Sequence, residues 1–325
     1  MDPLSDVLSL LQPRSHISAG FDAGGDWSVA FTGNIGIKCY AIVSGQCWLS
    51  VEGVAQPVQL HAGDAFLLPT GKPFYVASDP ALAPIPARDV FSTAQRGGVI
   101  THNGGGDVFM VGSRFEVEGK HADILLGMLP PIVHLQDKAD QSALRWLVER
   151  MMHELREPQP GSHLVAQHLA HLMLVQALRL HSLHINRVAQ GMVGMNSTGT
   201  GVGWLFALAD KQIGAAISAM HAWPAQSWTL QMLAAQIGMS RSSFALKFKA
   251  MVGLAPMDYL TRWRMLLASD KLVNSKDPIS VIAPALGYES ESAFSTAFKR
   301  IMGCSPRQYP RSAAAAKSSQ AGLPI

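Results

Sequence analysis

The residues best placed to do chemistry lie in two stretches near the C-terminal end. Ser240-Arg241-Ser242 opens one, and Ala245, Leu246, Lys247 and Lys249 follow within it. Ser290-Glu291-Ser292 opens the other, and Ser295, Thr296, Lys299 and Arg300 follow. Hydroxyls, a carboxylate and long cations on one short segment suit hydrogen bonding and charge neutralisation rather than bond cleavage. The twelve histidines invite a second chemistry, metal binding. His168 and His171 stand three residues apart, as do His181 and His184, a spacing that can hold zinc or nickel. No carboxylate or thiol is close to either pair in sequence, so surface or interface positions are the favoured reading. The three cysteines, Cys39, Cys47 and Cys304, fit neither a disulfide framework nor a zinc site. No metal and no cofactor is expected, and no catalytic constellation is found.

The elements that must position these residues form an internal repeat. Leu230, Leu233, Ala234, Gly238, Ser240, Phe244, Phe248, Lys249, Gly253, Pro256 and Tyr259 recur as Ile279, Ile282, Ala283, Gly287, Ser290, Phe294, Phe298, Lys299, Gly303, Pro306 and Tyr309. The offset is 49 up to the turn glycine and 50 from the serine onward, so one residue is inserted in the turn. Each position has a physical reason. The paired aliphatics give a short helix its apolar face, and the alanine lets two helices cross closely. Gly238 and Gly287 end that helix where a left-handed backbone is needed. Ser240 and Ser290 are N-caps. Phenylalanines at i and i+4 pin the next helix to a core, and Gly253 and Gly303 close it. Helix, glycine turn, capped helix is the helix-turn-helix pattern, whose second helix enters the DNA major groove.

Charge agrees with that reading. The 325-residue chain carries +3 overall, but residues 1–204 sum to −4 and residues 205–312 to +6. A basic C-terminal half beside an acidic N-terminal half points to a polyanionic partner. No apolar run approaches the ~18 residues of a membrane span, and the N-terminus lacks a signal-peptide pattern. A reducing cytoplasm is therefore the expected location, with no membrane partner.

With two copies in correct spacing, residues 204–310 closely resemble the AraC/XylS family of transcription regulators. IAPALGYESESAFSTAFKRIMGCSPRQYPR matches the family signature and LAAQIGMSRSSFALKFKAMVGLAPMDYL its first helix-turn-helix. The resemblance implies two units joined by a long helix, here about Pro256–Asn274, that spaces them about one DNA turn (~34 Å) apart. It implies double-stranded DNA as partner and RNA polymerase as a further one. Base contacts fall on Ser242, Ala245 and Leu246 in the first unit and on Glu291, Ser292, Ser295 and Thr296 in the second. Alanine and leucine cannot hydrogen-bond a base edge, so less direct readout is expected from the first unit. Arg241, Lys247, Lys249, Arg262, Lys299, Arg300, Arg307 and Arg311 are the expected phosphate contacts. Pro284 is unusual: in a helix interior it removes a donor and should kink the helix unless that helix is only two turns long.

The N-terminal half reads differently. Ile35–Val43, Gln46–Val51, Val58–Leu60, Phe66–Leu68 and Phe74–Ala77 are short strands, with turns between them, and a further strand pair is expected within 107–117. Residues 80–106 read mainly as loop. Gly63, Pro69, Thr70, Gly71, Phe74 and Ser78 resemble the second cupin motif, with Phe74 and Ser78 in place of its histidine and asparagine. The first motif would end at Gly45, with Lys38 at its glutamate position and its histidines near Thr32 and Asn34. The resemblance implies a cupin-type barrel that has lost its metal ligands, so a cupin enzyme activity is not expected. A small-molecule effector site is the leading expectation for the barrel, and a dimerisation scaffold without ligand is the alternative. Lys38, Tyr40, Trp48, Phe66, Phe74 and Tyr75 are candidate lining residues, with Lys38 able to meet an anionic ligand if it points inward.

Two helices follow, Ser142–Glu157 and Ser162–Ser182. The second is apolar on more than one face, with Leu164, Val175 and Leu178 as one stripe widened by Val165, Leu169, Leu172 and Leu180, and is the expected homodimer interface. The domains so read are a cupin-like sensor and dimerisation domain over 1–185, a glycine-rich linker over 186–203, a helical DNA-binding domain over 204–311 and a disordered tail over 312–325. The fold class is α+β multidomain, a cupin-like barrel with a helical segment followed by an all-α double helix-turn-helix.

Overall fold

A computed structural model describes residues 2–11, 13–33, 36–91, 98–117, 126, 129–136, 142–189 and 203–311. The chain divides into two compact units, one of residues 13–117 and 129–201, the other of residues 1–12, 118–128 and 202–325. Each has its own core.

The first unit is β-rich. Its strands are β1 (Arg14–Ala23), β2 (Ser28–Phe31), β3 (Ile37–Ser44), β4 (Gln46–Val51), β5 (Val58–His61), β6 (Ala65–Leu68), β7 (Phe74–Ala77), β8 (Ile85–Pro86), β9 (Val99–His102), β10 (Val108–Glu116) and β11 (Val133–Leu135). One sheet has the order β11-β6-β3-β10-β1-β9 and the other β5-β4-β7-β2-β8. Side chains from both sheets meet in one apolar core that includes Phe21, Val29, Ile42, Leu49, Leu60, Phe66, Phe74 and Met110. The strands alternate in and out with period two, so a single residue identifies each inner face.

Five strands lie close to where the alternation and turn signals put them. Residues 107–117 form one long strand, β10, rather than a pair, bonded to β1 on one side and β3 on the other. The span 80–106 is also more ordered than its prolines and glycines imply. It holds β8, the short helix α2 (Ala87–Phe91) and β9, which runs parallel to β1. Edge strands this short carry little apolar pattern, so composition alone hides them.

Helix α3 (Ser142–Arg156) buries Leu144, Leu147, Val148, Met151 and Leu155, the set its periodicity gives. Helix α4 (Ser162–Ala189) is longer than expected and runs into the span read as linker. Its buried face is Ala166, Leu169, Ala170, Met173, Leu174, Ala177 and Leu178. Leu164, Val165 and Leu172 are exposed, Val175 and Leu180 half-buried, and Leu169 and Leu178 buried, so the apolar positions are divided between the packed face and the outer one. Small alanines, which count little in a hydrophobic tally, let this helix sit close on the sheet. Residues 190–202 and 312–325 lie outside the described residues.

The second unit is helical. Helix α1 (Pro3–Leu11) begins at Asp2, whose carboxylate accepts from the Ser5 N–H at 3.0 Å and the Ser5 hydroxyl at 2.6 Å. The next helices are α5 (Trp204–Ala209), α6 (Lys211–Ala222), α7 (Leu230–Gln236), α8 (Arg241–Val252), α9 (Pro256–Asn274), α10 (Ile279–Ala285) and α11 (Glu291–Met302). Val7 and Leu11 of α1 are buried, and the helix packs on α6 and α9. Residues 1–12 thus group with the C-terminal helices, although sequence position had put them with the barrel.

Candidate nucleic-acid interface

Both helix pairs are built alike. Thr229 caps α7, its hydroxyl accepting from the Met232 N–H, and Ser240 caps α8 by accepting from the Ser243 N–H at 3.2 Å. Ser290 caps α11 in the same way, accepting from the Ala293 N–H at 3.2 Å. At the other end Gly253 and Gly303 adopt left-handed backbone, φ 82° and 77°, and their N–H groups bond the carbonyls of Lys249 and Lys299. The aromatic pins repeat as well. Phe244 meets Phe248 at 5.6 Å and Phe248 meets Tyr259 at 5.7 Å. Phe294 meets Phe298 at 5.8 Å and Phe298 meets Tyr309 at 5.4 Å.

The consequence is that α8 and α11 show solvent the same positions. Phe244 and Phe248 are buried, as are Phe294 and Phe298, and the burial of every intervening residue matches between the two helices. Ser242, Leu246, Glu291, Ser292 and Thr296 are exposed, and Ala245 and Ser295 are half-buried beside them. Leu246 is 73% exposed, more than any other large apolar residue of the described chain. Arg241, Lys249, Lys299, Arg300, Arg307 and Arg311 are exposed, and Arg262 is half-buried.

Lys247 is different. Its ammonium lies 2.7 Å from Asp210 and donates to Gln212 Oε1 at 3.2 Å, while Asp210 also caps α6. The Asp210 carboxyl is held below the usual carboxylate range despite its partial burial, because it accepts from the Ile213 N–H and from Lys247. Lys247 therefore ties α8 to the start of α6, and its expected role as a phosphate contact is withdrawn. Periodicity places it on the flank of the helix but cannot show the carboxylate waiting there.

Arg264 was not singled out from the sequence. From the middle of α9 its Nε donates to the Pro224 carbonyl at 2.7 Å and its Nη2 to the Gln226 carbonyl at 2.8 Å. Its guanidinium also sits 5.7 Å from the Tyr288 ring centroid. It locks the loop before α7 onto the connecting helix and reaches the turn of the second pair. Pro284 lies in the last turn of the seven-residue α10, on its exposed side. The helix is two turns long, as α7 is, so the proline costs at most a backbone bond and does not displace the pair.

In the β unit, Lys38 lies on the inner face of β3 and is only 4% exposed. Its ammonium stands 4.5 Å from the centroid of Phe74 and donates to the Thr32 carbonyl at 3.5 Å. Burial, with the Arg114 guanidinium pushing the same way, brings its pKa down to about 8. Tyr40, Phe66 and Phe74 also face inward. Trp48 does not: on β4 the inward residues are Cys47, Leu49 and Val51, so Trp48 lies on the opposite face, as Tyr75 does on β7. Both are corrections to the lining set, and both follow from the two-residue period. His171 places Nδ1 2.7 Å from the Gln167 carbonyl and Nε2 against the Pro13 carbonyl, so its nitrogens are occupied and the pair with exposed His168 is no metal site. His184 side-chain placement lies outside the described residues. Among the described residues no group of three histidine, cysteine or acidic side chains could hold a metal ion.

These two units define a class: a cupin-type domain joined to a double helix-turn-helix DNA-binding domain. A cupin family matches residues 2–182 and a helix-turn-helix domain family matches residues 233–312. An AraC-like transcription regulator of Streptomyces lividans is 40% identical over 310 residues, covering 95% of this chain and 98% of that protein. The regulator AlkR of Acinetobacter baylyi is 28% identical over 319 residues, covering 95% and 99%. Among solved structures, the C-terminal domain of the response regulator AraT from Geobacillus stearothermophilus is 32% identical, covers 32% of this chain and 86% of that one, and has a TM-score of 0.31. The chain belongs to the AraC-like transcription regulators, and is a DNA-binding regulator of transcription. No helix among the described residues is long and apolar enough to cross a membrane.

Proposed function

We propose that this regulator reads a specific duplex sequence with the outer faces of α8 and α11 and answers to a small-molecule effector in its cupin unit. The observation that carries the DNA reading is the matched exposure of the two capped helices, which presents Ser242, Ala245 and Leu246 on one and Glu291, Ser292, Ser295 and Thr296 on the other. Arg241, Lys249, Arg262, Lys299, Arg300, Arg307 and Arg311 supply the phosphate contacts that fix register and give salt dependence. Serines and a threonine offer both donors and acceptors to base edges, and Glu291 accepts from a cytosine amino group. With α9 as spacer, the two helices address successive major grooves on one face of the duplex.

The effector reading is supported by Lys38, a cation buried on the inner face of β3 with no carboxylate among its contacts. A purely structural core has no use for such a group, since burying a charge unpaired costs several kcal/mol. Self-association is supported by Trp146, Leu164 and Leu172, which leave apolar area exposed on α3 and α4. A homodimer formed there gives two pairs of reading heads, and the DNA-bound dimer acts on transcription by contact with RNA polymerase. Ligand occupancy changes DNA affinity to the extent that it favours one placement of the heads.

The test has two parts. Selection of genomic fragments by the purified protein should return a shared motif, bound with steep salt dependence. A thermal-shift panel of metabolites should return saturable stabilisation by one of them. No motif refutes the sequence-specific reading, and a flat panel refutes the effector reading in favour of a scaffold.

A further inference from the structure

We infer that the inner wall of the cupin unit holds a site for a small organic monoanion, a carboxylate on an apolar, ring-sized body, headed by Lys38 and Arg114. The inference deepens the effector reading above and rests on it.

The head is built by the register of two strands. Lys38 on β3 is paired directly with Arg114 on β10. Residues so paired in an antiparallel ladder project to the same side with Cβ atoms about 5 Å apart. Two cations are thus set side by side. Glu116, also on β10, accepts from Arg114 Nη2 at 3.2 Å and offsets one of them. Arg114 Nε is buried and has no hydrogen-bond partner. Lys38 has a long bond to one carbonyl and the face of one ring. An unsatisfied guanidinium N–H beside an unpaired ammonium is half of a charge-assisted site, and the missing half is an anion with two acceptor oxygens.

The body is specified by the rings around the head. Phe31 stacks on Phe74 with centroids 4.6 Å apart, and Tyr40 lies 6.5 Å from Phe31 and 5.9 Å from Phe74. Phe31 and Tyr40 are only partly buried, so the wall they form is open on one side. Gly112, between Met110 and Arg114 on β10, allows the Tyr40 ring to lie against the strand: a Cβ there would stand 2.3 Å from Tyr40 Cδ1. The groups facing Lys38 are Arg114 and Glu116 from β10, Tyr40 from its own strand and the Thr32 carbonyl after β2. The Tyr40 phenol is pushed well above its usual range by burial and stays neutral. Lys38 carries its charge below pH 8 and loses it above. Anion binding favours the protonated form, so it takes up protons near pH 8 and weakens about tenfold per pH unit above it.

The experiment is calorimetric titration of the full-length protein with acid and amide pairs of equal shape, benzoate against benzamide and hexanoate against hexanamide. The expected result is that at least one acid binds at least ten times more tightly than its amide at pH 7. That preference should fade above pH 8, and Lys38→Met should abolish it. Arg114→Gln should weaken the acid without improving the amide. Circular dichroism and DNA binding confirm that both variants fold. Equal binding of acid and amide, a preference that survives Lys38→Met, or no binding by either acid overturns the inference. Amide binding equal to acid binding leaves the effector reading standing, which the metabolite panel alone can remove.

Discussion

Leu246 cannot hydrogen-bond a base edge, so its proposed part in reading DNA rests on apolar contact alone. Its exposed position on α8 suits apolar contact with a thymine methyl, the one apolar feature of the major-groove edge. Burying one methyl is worth about 0.8 kcal/mol, roughly fourfold in affinity. Replacing single thymines by deoxyuridine across the bound motif should therefore weaken binding about fourfold at one position, and Leu246→Ala should abolish that difference. An unchanged uridine profile means that Leu246 faces no base. Lys249 makes a complementary case. Lys249→Ala should weaken binding to all sequences alike and reduce the slope of affinity against salt by about one, whereas Lys247→Ala should act on stability first, because Lys247 is bound to Asp210. Type and period made Lys38, Tyr40, Phe66 and Phe74 legible as inward residues. They do not settle Trp48, whose aromatic type suits a lining but whose place between inward Cys47 and Leu49 turns it outward, nor Lys247, whose partner Asp210 lies 37 residues earlier in the chain.

At the level of elements, the two turn glycines separate backbone strain from packing. Gly238 has φ 66°, and a Cβ there would meet nothing within 4 Å. Gly287 has φ 79°, and a Cβ would lie 2.5 Å from the Ala225 carbonyl and 2.7 Å from Arg264 Nη2. Gly238→Ala should cost about 1–2 kcal/mol by urea unfolding, the ordinary left-handed penalty. Gly287→Ala should cost clearly more and also disturb the Arg264 contacts; equal costs would mean that the loop at Ala225 yields freely. The helices α7 to α11 were legible almost to the residue, because caps, glycines and phenylalanines each mark a position. Helix α1, β1 and β11 were not. Their local patterns are short, and what places them is packing against segments far away in sequence, which no local window contains.

The whole helical unit carries one titration that should govern its acid stability. His221 on α6 is buried, stacks on Trp263 at 3.7 Å and shares a hydrogen bond with the Tyr259 hydroxyl at 2.9 Å. Burial pushes its pKa down to about 3. It is therefore neutral, and Asp6 of α1, 3.5 Å from Nδ1, is no ion-pair partner: that carboxyl is itself raised by burial. The unfolded chain binds a proton at His221 near pH 6.5 and the folded chain does not. Stability should be full above pH 6.5 and fall by about one proton's slope toward pH 3. His221→Phe should keep the stacking and flatten that limb; an unchanged limb would place the acid lability elsewhere.

The central claim is that α8 and α11 read DNA together as equivalent heads on one spacer. Its most direct test is hydroxyl-radical footprinting of the full-length protein on a selected genomic fragment, repeated with Ser242→Ala/Leu246→Ala and with Glu291→Ala/Thr296→Ala. Two protected patches about one helical turn apart on the same face are expected, each pair of substitutions weakening sequence preference under its own patch. A single patch, or two that respond to the same pair, would contradict a double reading head.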